Sequence, residues 1–475
     1  MWSRLCAAAA GRKSAVAIGR EDLFWTFEEL IQRAEAVGRS LQALPEPPRI
    51  GVALPSGPEF TALQFGCLQA GALFVSLPDQ VTVREARHYL ESAAVDLLVA
   101  ETPAAYQAAG AEPVVGFEAL CEGRFEVEPD GSRADLGSDS RHLQFTTGTT
   151  GRPQGILLTE SNLLANLQQS ATFLESDRAV FCPSPQFHAM GGAVALENLC
   201  HGSAVLFANR FDPAVGLRRM EMCQRLVASP NFVRMLLRLG VLSAASLPNL
   251  EEITLGTAPV SRELVADLRA VFPEICIRLR YGLSESVGAL TVLTLGPGEL
   301  LVDDGDVGPP VDGVELDICD GELRVRAASV ASRSISEAGL RPLLDADGFL
   351  PTGDEANFVG GHVHLGGRRS TFLKVHGHRV DPTEIESVLR ELAGVAEVVV
   401  LGIPDEVAGE RIVVCVERVG GEAVDEDELW DACRESLSPH KYPARIAAFE
   451  SLPRTPSGKP DRAAIRAQLD SQAAD

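Results

Sequence analysis

Short apolar segments alternate with helical patterns along the first 280 residues, and this alternation restricts the possible folds more than any other feature of the sequence. Residues 49–54, 73–77 and 95–100 have the length and composition of buried strands, and residues 60–72 resemble a buried helix. The alternation returns between residues 179 and 281. Strands that alternate with helices are typical of parallel sheets covered by helices, so the sequence predicts an α/β fold for this part.

Two helix starts can be predicted from capping residues. Thr26 precedes apolar residues at helical spacing, and Glu29 follows three residues later, which is the pattern of a capping box. Further along, Ser161 is expected to cap a helix over residues 162–173.

The pattern of alternating strands and helices ends at about residue 300. Short strands separated by Gly and Asp turns continue to about residue 366 and indicate a β-rich lobe. The remaining residues have a pattern of their own, with helices at 383–391 and 425–437 and strands at 396–402 and 411–418. We therefore expect a large domain over residues 1–366, and a small, mobile α+β domain over residues 367–475.

Charge and cysteine content exclude several classes of protein. The chain has 42 basic and 66 acidic residues and a formal net charge of −24, which argues against non-specific binding to nucleic acid or to an anionic membrane. Its ten cysteines include no Cys-x-x-Cys pair and are expected to be free thiols in a reducing, cytoplasmic compartment. No apolar stretch of about 20 residues is present, so no membrane insertion is expected.

Residues 143–155 form a stretch rich in threonine and glycine, with the sequence Leu-Gln-Phe-Thr-Thr-Gly-Thr-Thr-Gly-Arg-Pro-Gln-Gly. The pattern predicts the end of a strand followed by a loop whose backbone N–H and hydroxyl groups suit a polyphosphate. It is not the common nucleotide-binding P-loop, because Gly151 is followed by Arg152 rather than by Lys and Ser or Thr. Taken alone, the stretch is also compatible with an ordinary turn.

Four further motifs follow this stretch in order. They are Gly256-Thr257-Ala258-Pro259, Tyr281-Gly282-Leu283-Ser284-Glu285, Thr352-Gly353-Asp354 with Gly367-Arg368, and Pro453-Arg454-Thr455-Pro456-Ser457-Gly458-Lys459. Together the five motifs resemble those of the adenylate-forming superfamily, which includes acyl-CoA synthetases, aryl-CoA ligases, peptide-synthetase adenylation domains and firefly-type luciferases. The resemblance covers essentially the whole chain and implies ATP-dependent activation of a carboxylic acid, followed by attack of a thiol on the acyl-adenylate.

The resemblance also implies a nucleotide site. The phosphate loop would be Thr146, Thr147, Gly148, Thr149, Thr150 and Gly151. Gly256, Thr257, Ala258 and Pro259 would line the adenine and acid sites. Tyr281 would contact adenine, and Gly282 and Ser284 would also belong to the ATP site. Asp354 would accept from the ribose hydroxyls, and Arg368 would lie near the ribose and phosphate. Glu285 would hold Mg²⁺, because this cation prefers carboxylate and phosphate oxygens.

Further positions are implied for the acid and for catalysis. Phe187 and His188 resemble the Phe-His pair of acyl- and aryl-CoA ligases, and the acid pocket would also include Gly191, Gly192, Gly256 and Val287. Lys459 would bridge the acid and the α-phosphate during adenylation. Lys374, with Gly377, would face the site in the second step, after a rotation of the small domain about a hinge just after Arg368.

The sequence departs from the superfamily pattern at two places and leaves two alternatives open. Gln154 stands where the superfamily usually has lysine, and Ser370-Thr371 replaces the usual residues at the hinge. The acceptor is expected to be CoA, whereas the phosphopantetheine thiol of an acyl carrier protein, or an amine, is the alternative. A non-catalytic nucleotide binder is a third possibility, motivated by Gln154 and disfavoured by the presence of Glu285, Asp354, Arg368 and Lys459.

Overall fold

The computed structural model describes residues 1–127, 135–147, 153–208, 213–336, 339–368, 373–390, 392, 394–418, 425–453, 460 and 462–472. These residues form two compact units. The first comprises most of the described chain up to Arg368. The second comprises the described chain from Leu373 onward, together with Gln80–Ala86, Thr147 and Pro153. The predicted division into domains at residues 366 and 367 stays a prediction.

The described α-helices follow one another along the chain from α1 to α14. They are α1 (Trp2–Ala9), α2 (Phe27–Gln42), α3 (Pro58–Ala70), α4 (Val83–Ala93), α5 (Ala104–Ala108), α6 (Phe117–Cys121), α7 (Glu160–Ser170), α8 (Ala189–Cys200), α9 (Pro213–Met220), α10 (Pro230–Arg238), α11 (Arg262–Val271), α12 (Pro382–Arg390), α13 (Glu426–Ser436) and α14 (Arg462–Gln472). None of these described helices is both long and apolar enough to cross a bilayer.

The described strands are numbered in the same way. They are β1 (Val16–Arg20), β2 (Leu23–Thr26), β3 (Arg49–Ala53), β4 (Leu73–Ser76), β5 (Leu97–Ala100), β6 (Val114–Val115), β7 (Ser140–Thr147), β8 (Pro153–Thr159), β9 (Val180–Cys182), β10 (Val205–Phe207), β11 (Arg225–Ala228), β12 (Glu252–Gly256), β13 (Cys276–Gly282), β14 (Ala289–Leu295), β15 (Val314–Cys319), β16 (Glu322–Ala327), β17 (Arg333–Ser336), β18 (Gly339–Pro342), β19 (Leu350–Val359), β20 (His362–Arg368), β21 (Leu373–Val375), β22 (His378–Val380), β23 (Val395–Asp405), β24 (Gly409–Arg418) and β25 (Arg445–Phe449).

Two eight-stranded sheets dominate the first unit, with the strand orders β14-β13-β12-β11-β9-β10-β1-β2 and β18-β17-β8-β7-β4-β3-β5-β6. Strands β1 and β9 to β13 are joined by parallel pairings, as are β3 to β7. All residues of β3 and β12 are buried, as expected for parallel strands covered on both faces. Helix α3 is buried on all sides, which identifies it as a core helix. The predicted helix-covered parallel sheets are confirmed.

The predicted β-rich lobe is also present. Strands β15, β16, β19 and β20 form a four-stranded antiparallel sheet within the first unit. The second unit contains a sheet of β21 to β25 with helices α12, α13 and α14. Apolar residues of β23 and β24 pack against α12 and α13 on one side and against α14 on the other. The α+β character predicted for the end of the chain is therefore confirmed.

The helix starts are partly as predicted. Thr26 caps α2, with its hydroxyl accepting from the N–H of Glu29 at 3.2 Å and its own N–H donating to Oε2 of Glu29 at 2.8 Å. The prediction that Ser161 caps the next helix is wrong. Helix α7 begins at Glu160, and its cap is Thr159, which exchanges the corresponding hydrogen bonds with Asn162. Strand β8 runs directly into this cap without a connecting loop.

The threonine- and glycine-rich stretch joins two strands. Strand β7 extends to Thr147, and β8 begins at Pro153. Residues 153–155 are therefore part of a strand, although the sequence predicted them as loop. Residues 148–152, which carry most of the expected phosphate contacts, lie outside the described part of the chain.

Candidate active site

Several predicted site segments lie at one edge of the first eight-stranded sheet. Strands β9, β12 and β13 belong to its parallel part, so their carboxyl ends meet at the same edge. The segment before His188 follows β9, Thr257 follows β12, and Glu285 follows β13. Loops beyond the carboxyl ends of parallel strands are where α/β proteins bind ligands. The topology thus brings together motifs that are far apart in the sequence.

The Gly-Thr-Ala-Pro motif turns sharply at the end of β12. Gly256 is the last residue of that strand and lies opposite Arg280 of β13. Thr257 has a φ of +69°, a left-handed conformation that costs a non-glycine residue on the order of 1–3 kcal/mol. A Cβ at position 256 would lie 3.1 Å from the carbonyl oxygen of Arg280, closer than a side chain normally packs. Glycine at 256 therefore permits close contact between the two strand ends.

Tyr281 and Asp354 are 73 residues apart and form a direct hydrogen bond. The hydroxyl of Tyr281 donates to Oδ2 of Asp354 at 2.7 Å, and Asp354 is 6% exposed. The turn before Asp354 is held by Thr352, whose hydroxyl donates to the carbonyl of Leu323 at 2.7 Å and accepts from the N–H of Asp354 at 3.1 Å. The two residues proposed to contact adenine and ribose therefore lie side by side.

The loop that carries Glu285 is supported by a buried serine. The hydroxyl of Ser286 lies 2.9 Å from the carbonyl oxygens of Leu283 and Gly288 and accepts from the N–H of Leu283. The carbonyl of Glu285 accepts from the N–H of Ala331 at 2.7 Å. Val287 is buried, with a φ of +64°. These contacts hold the backbone of the loop. The carboxylate of Glu285 is half-buried and forms no ion pair with another of the described residues.

The segment before α8 is held by Gln186, which is 1% exposed. Its side chain accepts from the N–H of Gly57 at 2.5 Å and donates to the hydroxyl of Thr61 at 2.8 Å. Its backbone N–H donates to the hydroxyl of Ser56 at 2.8 Å. The next two residues, Phe187 and His188, have ring centroids 4.3 Å apart, and His188 is the cap residue of α8. Gln186 thus anchors the segment that presents the predicted Phe-His pair.

Gly191 and Gly192 are two of the residues predicted to line the acid pocket. A Cβ at Gly191 would overlap the carbonyl oxygens of Ser184 and Pro185, and one at Gly192 would lie 3.0 Å from the carbonyl of Gln186. The absence of a side chain at Gly191 therefore lets the first turn of α8 pack onto the preceding loop. The assignment of the two glycines to the acid pocket stays a prediction.

Cys182, which ends β9 just before the segment that leads to His188, does not supply a reactive thiolate. Burial raises the pKa of Cys182, the last residue of β9, to about 12. The side chain remains a thiol at neutral pH and lies 3.8 Å from the carbonyl of Ser184. In the described part of the chain, none of the ten cysteines forms a disulfide.

A single carboxylate is consistent with Mg²⁺ but not with a metal site built from protein alone. No group of three His, Cys, Asp or Glu side chains arranged to hold a metal ion occurs among the described residues. Mg²⁺ commonly takes one or two carboxylates and completes its shell with water and phosphate oxygens. Glu285 therefore fits Mg²⁺ bound together with a polyphosphate.

Some predicted site residues lie outside the described parts of the chain, and others lie at the ends of strands β7 and β20. Gly148, Thr149, Thr150, Gly151 and Lys459 are outside the described residues. Thr146 and Thr147 end β7, and Arg368 ends β20 opposite Asp354 in the strand register.

Lys374 belongs to the second unit. Its backbone N–H donates to Oε2 of Glu410 at 2.6 Å. It lies on β21 just before a two-residue turn, in which His376 and Gly377 have φ values of +50° and +83°. Positive φ at both turn positions is the preferred geometry of a tight hairpin.

The sequence did not identify Gln186 and Ser286 as positioning residues. Neither residue has a spacing that marks it in advance, because their partners lie on distant segments or within one irregular loop. Glu197 and Asn198 could have been noticed, since they are polar residues within an otherwise apolar helix, α8. Both are buried, Glu197 at 0% and Asn198 at 1% exposure.

Comparison with known proteins supports the interpretation of the motifs. The family described as AMP-binding enzyme matches residues 5–331, and the family described as AMP-binding enzyme C-terminal domain matches residues 384–459. The chain is 29% identical to 2-succinylbenzoate–CoA ligase of Listeria monocytogenes, over 94% of each chain. It is 28% identical to 4-coumarate–CoA ligase-like 5 of Oryza sativa over 72% of its own length, and it spans 65% of that protein.

The fold is shared with solved structures. An o-succinylbenzoate CoA synthetase from Bacillus subtilis, solved with a product analogue, superposes with a TM-score of 0.83 at 23% identity, covering 98% of both chains. At this level of identity the likeness concerns the fold. The matching family covers more than half of the chain, and the ordered motifs agree with it. The predicted membership is confirmed: the chain belongs to the AMP-binding enzyme family of the adenylate-forming superfamily.

Proposed function

We propose that this protein activates a carboxylic acid with ATP to form an acyl-adenylate and then transfers the acyl group to the thiol of CoA. The observation that carries the proposal is the hydrogen bond between Tyr281 and Asp354 beside the end of β13, where Glu285 follows. An aromatic ring next to a buried carboxylate suits a nucleoside, because the ring can stack on a base while the carboxylate accepts from ribose hydroxyls.

In this proposal the nucleotide is held from both ends. The residues from Thr146 to Gly151 bind the β- and γ-phosphates through backbone N–H and hydroxyl groups. Asp354 accepts from the ribose hydroxyls, and Arg368 lies near the ribose and phosphate. Glu285 holds Mg²⁺, which neutralises phosphate charge when bound. Gly256 to Pro259 line the space between the adenine and the acid.

The acid is placed next to the nucleotide by the start of α8. Phe187 and His188 bound its entrance, and Val287 contributes an apolar wall. During adenylation a carboxylate oxygen attacks the α-phosphorus, the bond to the β-phosphate breaks, and pyrophosphate leaves. Lys459 stabilises the negative charge that these oxygens share in the transition state. The acceptor thiol then loses its proton to solvent, its sulfur bonds to the acyl carbon, and the bond from that carbon to the phosphate oxygen breaks, so that AMP leaves. Lys374 faces the site in this second step.

In this proposal the two domains, residues 1–366 and residues 367–475, have different roles. The large domain would hold ATP and the acid, and the small one would supply Lys459 and Lys374. The two matched families, over residues 5–331 and 384–459, support this division.

The acceptor is proposed as CoA because relatives that match over most of their length are named CoA ligases, including 2-succinylbenzoate–CoA ligase. A carrier protein presents the same phosphopantetheine thiol, so an acyl carrier protein remains the alternative acceptor, together with an amine. The acid is proposed to be largely apolar and not an amino acid, since Phe187 is followed by His188 and not by an aspartate that would bind an ammonium group.

Acid-dependent exchange between ATP and radioactive pyrophosphate tests the proposal. A panel of fatty, aromatic and amino acids should include at least one acid that supports exchange. Exchange with no acid would favour a non-catalytic nucleotide binder. With an active acid in hand, incubation with CoA, with a carrier protein or with an amine then identifies the acceptor, and CoA is expected to yield the acyl thioester.

A further inference from the structure

A buried ion pair lies between α8 and β13, next to the site. Nη2 of Arg280 donates to both carboxylate oxygens of Glu197 at 3.0 Å, and Nδ2 of Asn166 donates to Oε1 of the same glutamate at 3.0 Å. The guanidinium carbon of Arg280 lies 4.9 Å from the ring centroid of Phe173. We call these four residues the Arg280 cluster.

The cluster borders the proposed acid pocket. Met190 and Glu197 are seven residues apart on α8 and therefore face the same side of the helix. A Cβ at Gly256 would lie 3.1 Å from the carbonyl of Arg280 and 3.8 Å from Sδ of Met190. A Cβ at Gly288, the residue after Val287, would lie 2.7 Å from Oε1 of Glu197. The cluster thus lies deeper along α8 than His188, between segments assigned to the acid.

The guanidinium of Arg280 has N–H donors that do not bind Glu197. Arginine has five N–H donors, and both bonds to Glu197 come from Nη2. Among the described residues, Nε and Nη1 of Arg280 have no hydrogen-bond partner. The side chain is 12% exposed, whereas that of Glu197 is 0% exposed. The arginine, and not the glutamate, is therefore the member of the pair that a ligand can reach.

The surrounding charges reinforce this asymmetry. Glu252 on β12 lies 3.5 Å from Arg225 of β11 and 2.5 Å from Arg278, which is two residues before Arg280 on β13. Together with Glu197 and Arg280, these buried groups comprise three arginines and two glutamates. A low-exposure site with one surplus positive charge favours an oxygen acceptor where the guanidinium is accessible.

We propose that Arg280 is a specificity-determining residue of the acid pocket, selecting acids with an oxygen acceptor at the end remote from the reacting carboxylate. Glu197, Asn166 and Phe173 hold the guanidinium so that its remaining N–H groups form a polar floor. An acid with an apolar tip would leave these donors without a partner and would be disfavoured. This inference rests on the proposed function, because it requires an acid to bind between α8 and β13.

The acceptor oxygen can belong to a hydroxyl group or to a second carboxylate, and a matched panel separates the two. 4-Hydroxycinnamate, 4-carboxycinnamate and 4-methylcinnamate form one set, and 6-hydroxyhexanoate, adipate and heptanoate form an aliphatic set. Initial rates of ATP–pyrophosphate exchange give kcat/KM for each acid. In the set that supports faster exchange, we expect the better oxygen-bearing acid to have a kcat/KM at least about tenfold above that of its methyl analogue.

Two substitutions then assign the preference to Arg280. Arg280→Met removes all donors, and Arg280→Lys keeps the positive charge beside Glu197 while removing the planar fork. Both should bring the ratio of kcat/KM between oxygen-bearing and methyl acids toward one. Because the ratio compares two acids on the same preparation, it does not depend on the fraction of protein that is folded. The Arg280→Met variant leaves Glu197 buried without a charged partner and can fail to fold for that reason. The Arg280→Lys variant keeps a positive charge beside Glu197 and provides the test in that case.

Arg326→Met is a matched control. Arg326 also binds a glutamate, Glu315, and also lies over a phenylalanine ring, that of Phe349 at 4.3 Å, but on the separate β-rich lobe. The Arg326→Met variant should have the same ratio of kcat/KM between oxygen-bearing and methyl acids as the unchanged protein.

The outcomes separate the two proposals. Exchange with no acid of any kind would overturn the proposed function and this inference with it. Equal exchange with the oxygen-bearing and methyl acids would overturn the inference alone. A preference that both Arg280 variants retain would also overturn it.

Discussion

The hydroxyl of Tyr281 on β13 donates a 2.7 Å hydrogen bond to the buried carboxylate of Asp354 on β19. The bond orients the carboxylate and joins the parallel sheet to the β-rich lobe. Two motifs separated by 73 residues therefore form one side of the proposed nucleoside site.

Removing this hydroxyl should weaken ATP binding less than removing the carboxylate. Tyr281→Phe keeps the ring and loses only the orienting bond, so we expect the KM for ATP to rise about fivefold. Asp354→Asn also loses the charged acceptor for the ribose, and we expect a rise of roughly 10- to 100-fold. Steady-state kinetics with ATP varied and an active acid saturating measure both values. Equal KM values for Asp354→Asn and the unchanged protein would contradict the ribose assignment.

Gln154 is the clearest departure from the superfamily pattern and is half-buried as the second residue of β8. A neutral amide can donate hydrogen bonds to phosphate but supplies no charge. If the missing charge weakens the hold on the phosphates, Gln154→Lys should lower the KM for ATP by about three- to tenfold. Gln154→Met, which removes the donor, should raise it. An unchanged KM in Gln154→Lys would mean that the threonines and glycines suffice without this charge.

His142 is a buried histidine on β7 that should make the first unit sensitive to acid. It is 4% exposed, lies with its ring centroid 5.2 Å from that of Phe74, and has no hydrogen-bond partner at either ring nitrogen among the described residues. Burial lowers its pKa from 6.5 to about 4. Between these two values the unfolded chain binds a proton that the folded chain does not, so stability falls as the pH falls.

The loss between pH 7 and pH 5 should be about 2 kcal/mol for this one group. Urea unfolding, followed by Trp2 and Trp25 fluorescence in a Trp430→Phe background, measures it. His142→Leu should lose about 2 kcal/mol less over the same interval. An identical pH dependence in the two proteins would contradict the depressed pKa.

Glu386 should hold the second unit together. It is 4% exposed and accepts from the N–H of Val400 at 2.9 Å, from Arg462 at 2.8 Å and from Arg390 at 3.2 Å. It therefore links α12 to β23 and α14. Glu386→Ala leaves a buried N–H and two arginines without this acceptor, and we expect a loss of about 3 kcal/mol.

Hydrogen exchange of peptides from α12 and β23 reports this loss. Glu397→Ala is the control, because Glu397 also binds Arg390 but is more exposed, at 26%. We expect the control to lose less than about 1 kcal/mol. Similar exchange rates in the two variants would show that Glu386 has no special role.

Features set by local sequence were the most predictable. The core-lying α3 and the all-buried β3 follow from apolar composition, and the cap at Thr26 follows from its spacing to Glu29. Ser161 misled the prediction because Thr159, two residues earlier, is an equally good cap and has Asn162 at the reciprocal position. Ser161 has Leu164 at the corresponding position, which cannot return the hydrogen bond.

Features that depend on packing between distant segments were not predictable. The motifs named Tyr281 and Asp354 but gave no indication that the two side chains touch. The pairing of Arg280 with Glu197, 83 residues apart, arises only when α8 packs beside β13. Both contacts form only when segments distant in the sequence pack together in the fold.

The central claim is that Lys459 drives adenylation in a two-step acid–thiol ligase. The most direct measurement compares the unchanged protein with Lys459→Ala in acid-dependent ATP–pyrophosphate exchange, and in the release of AMP when the synthetic acyl-adenylate and CoA are supplied. We predict that exchange falls at least about 100-fold while thioester formation from the supplied adenylate persists. Full exchange activity in Lys459→Ala would contradict the account.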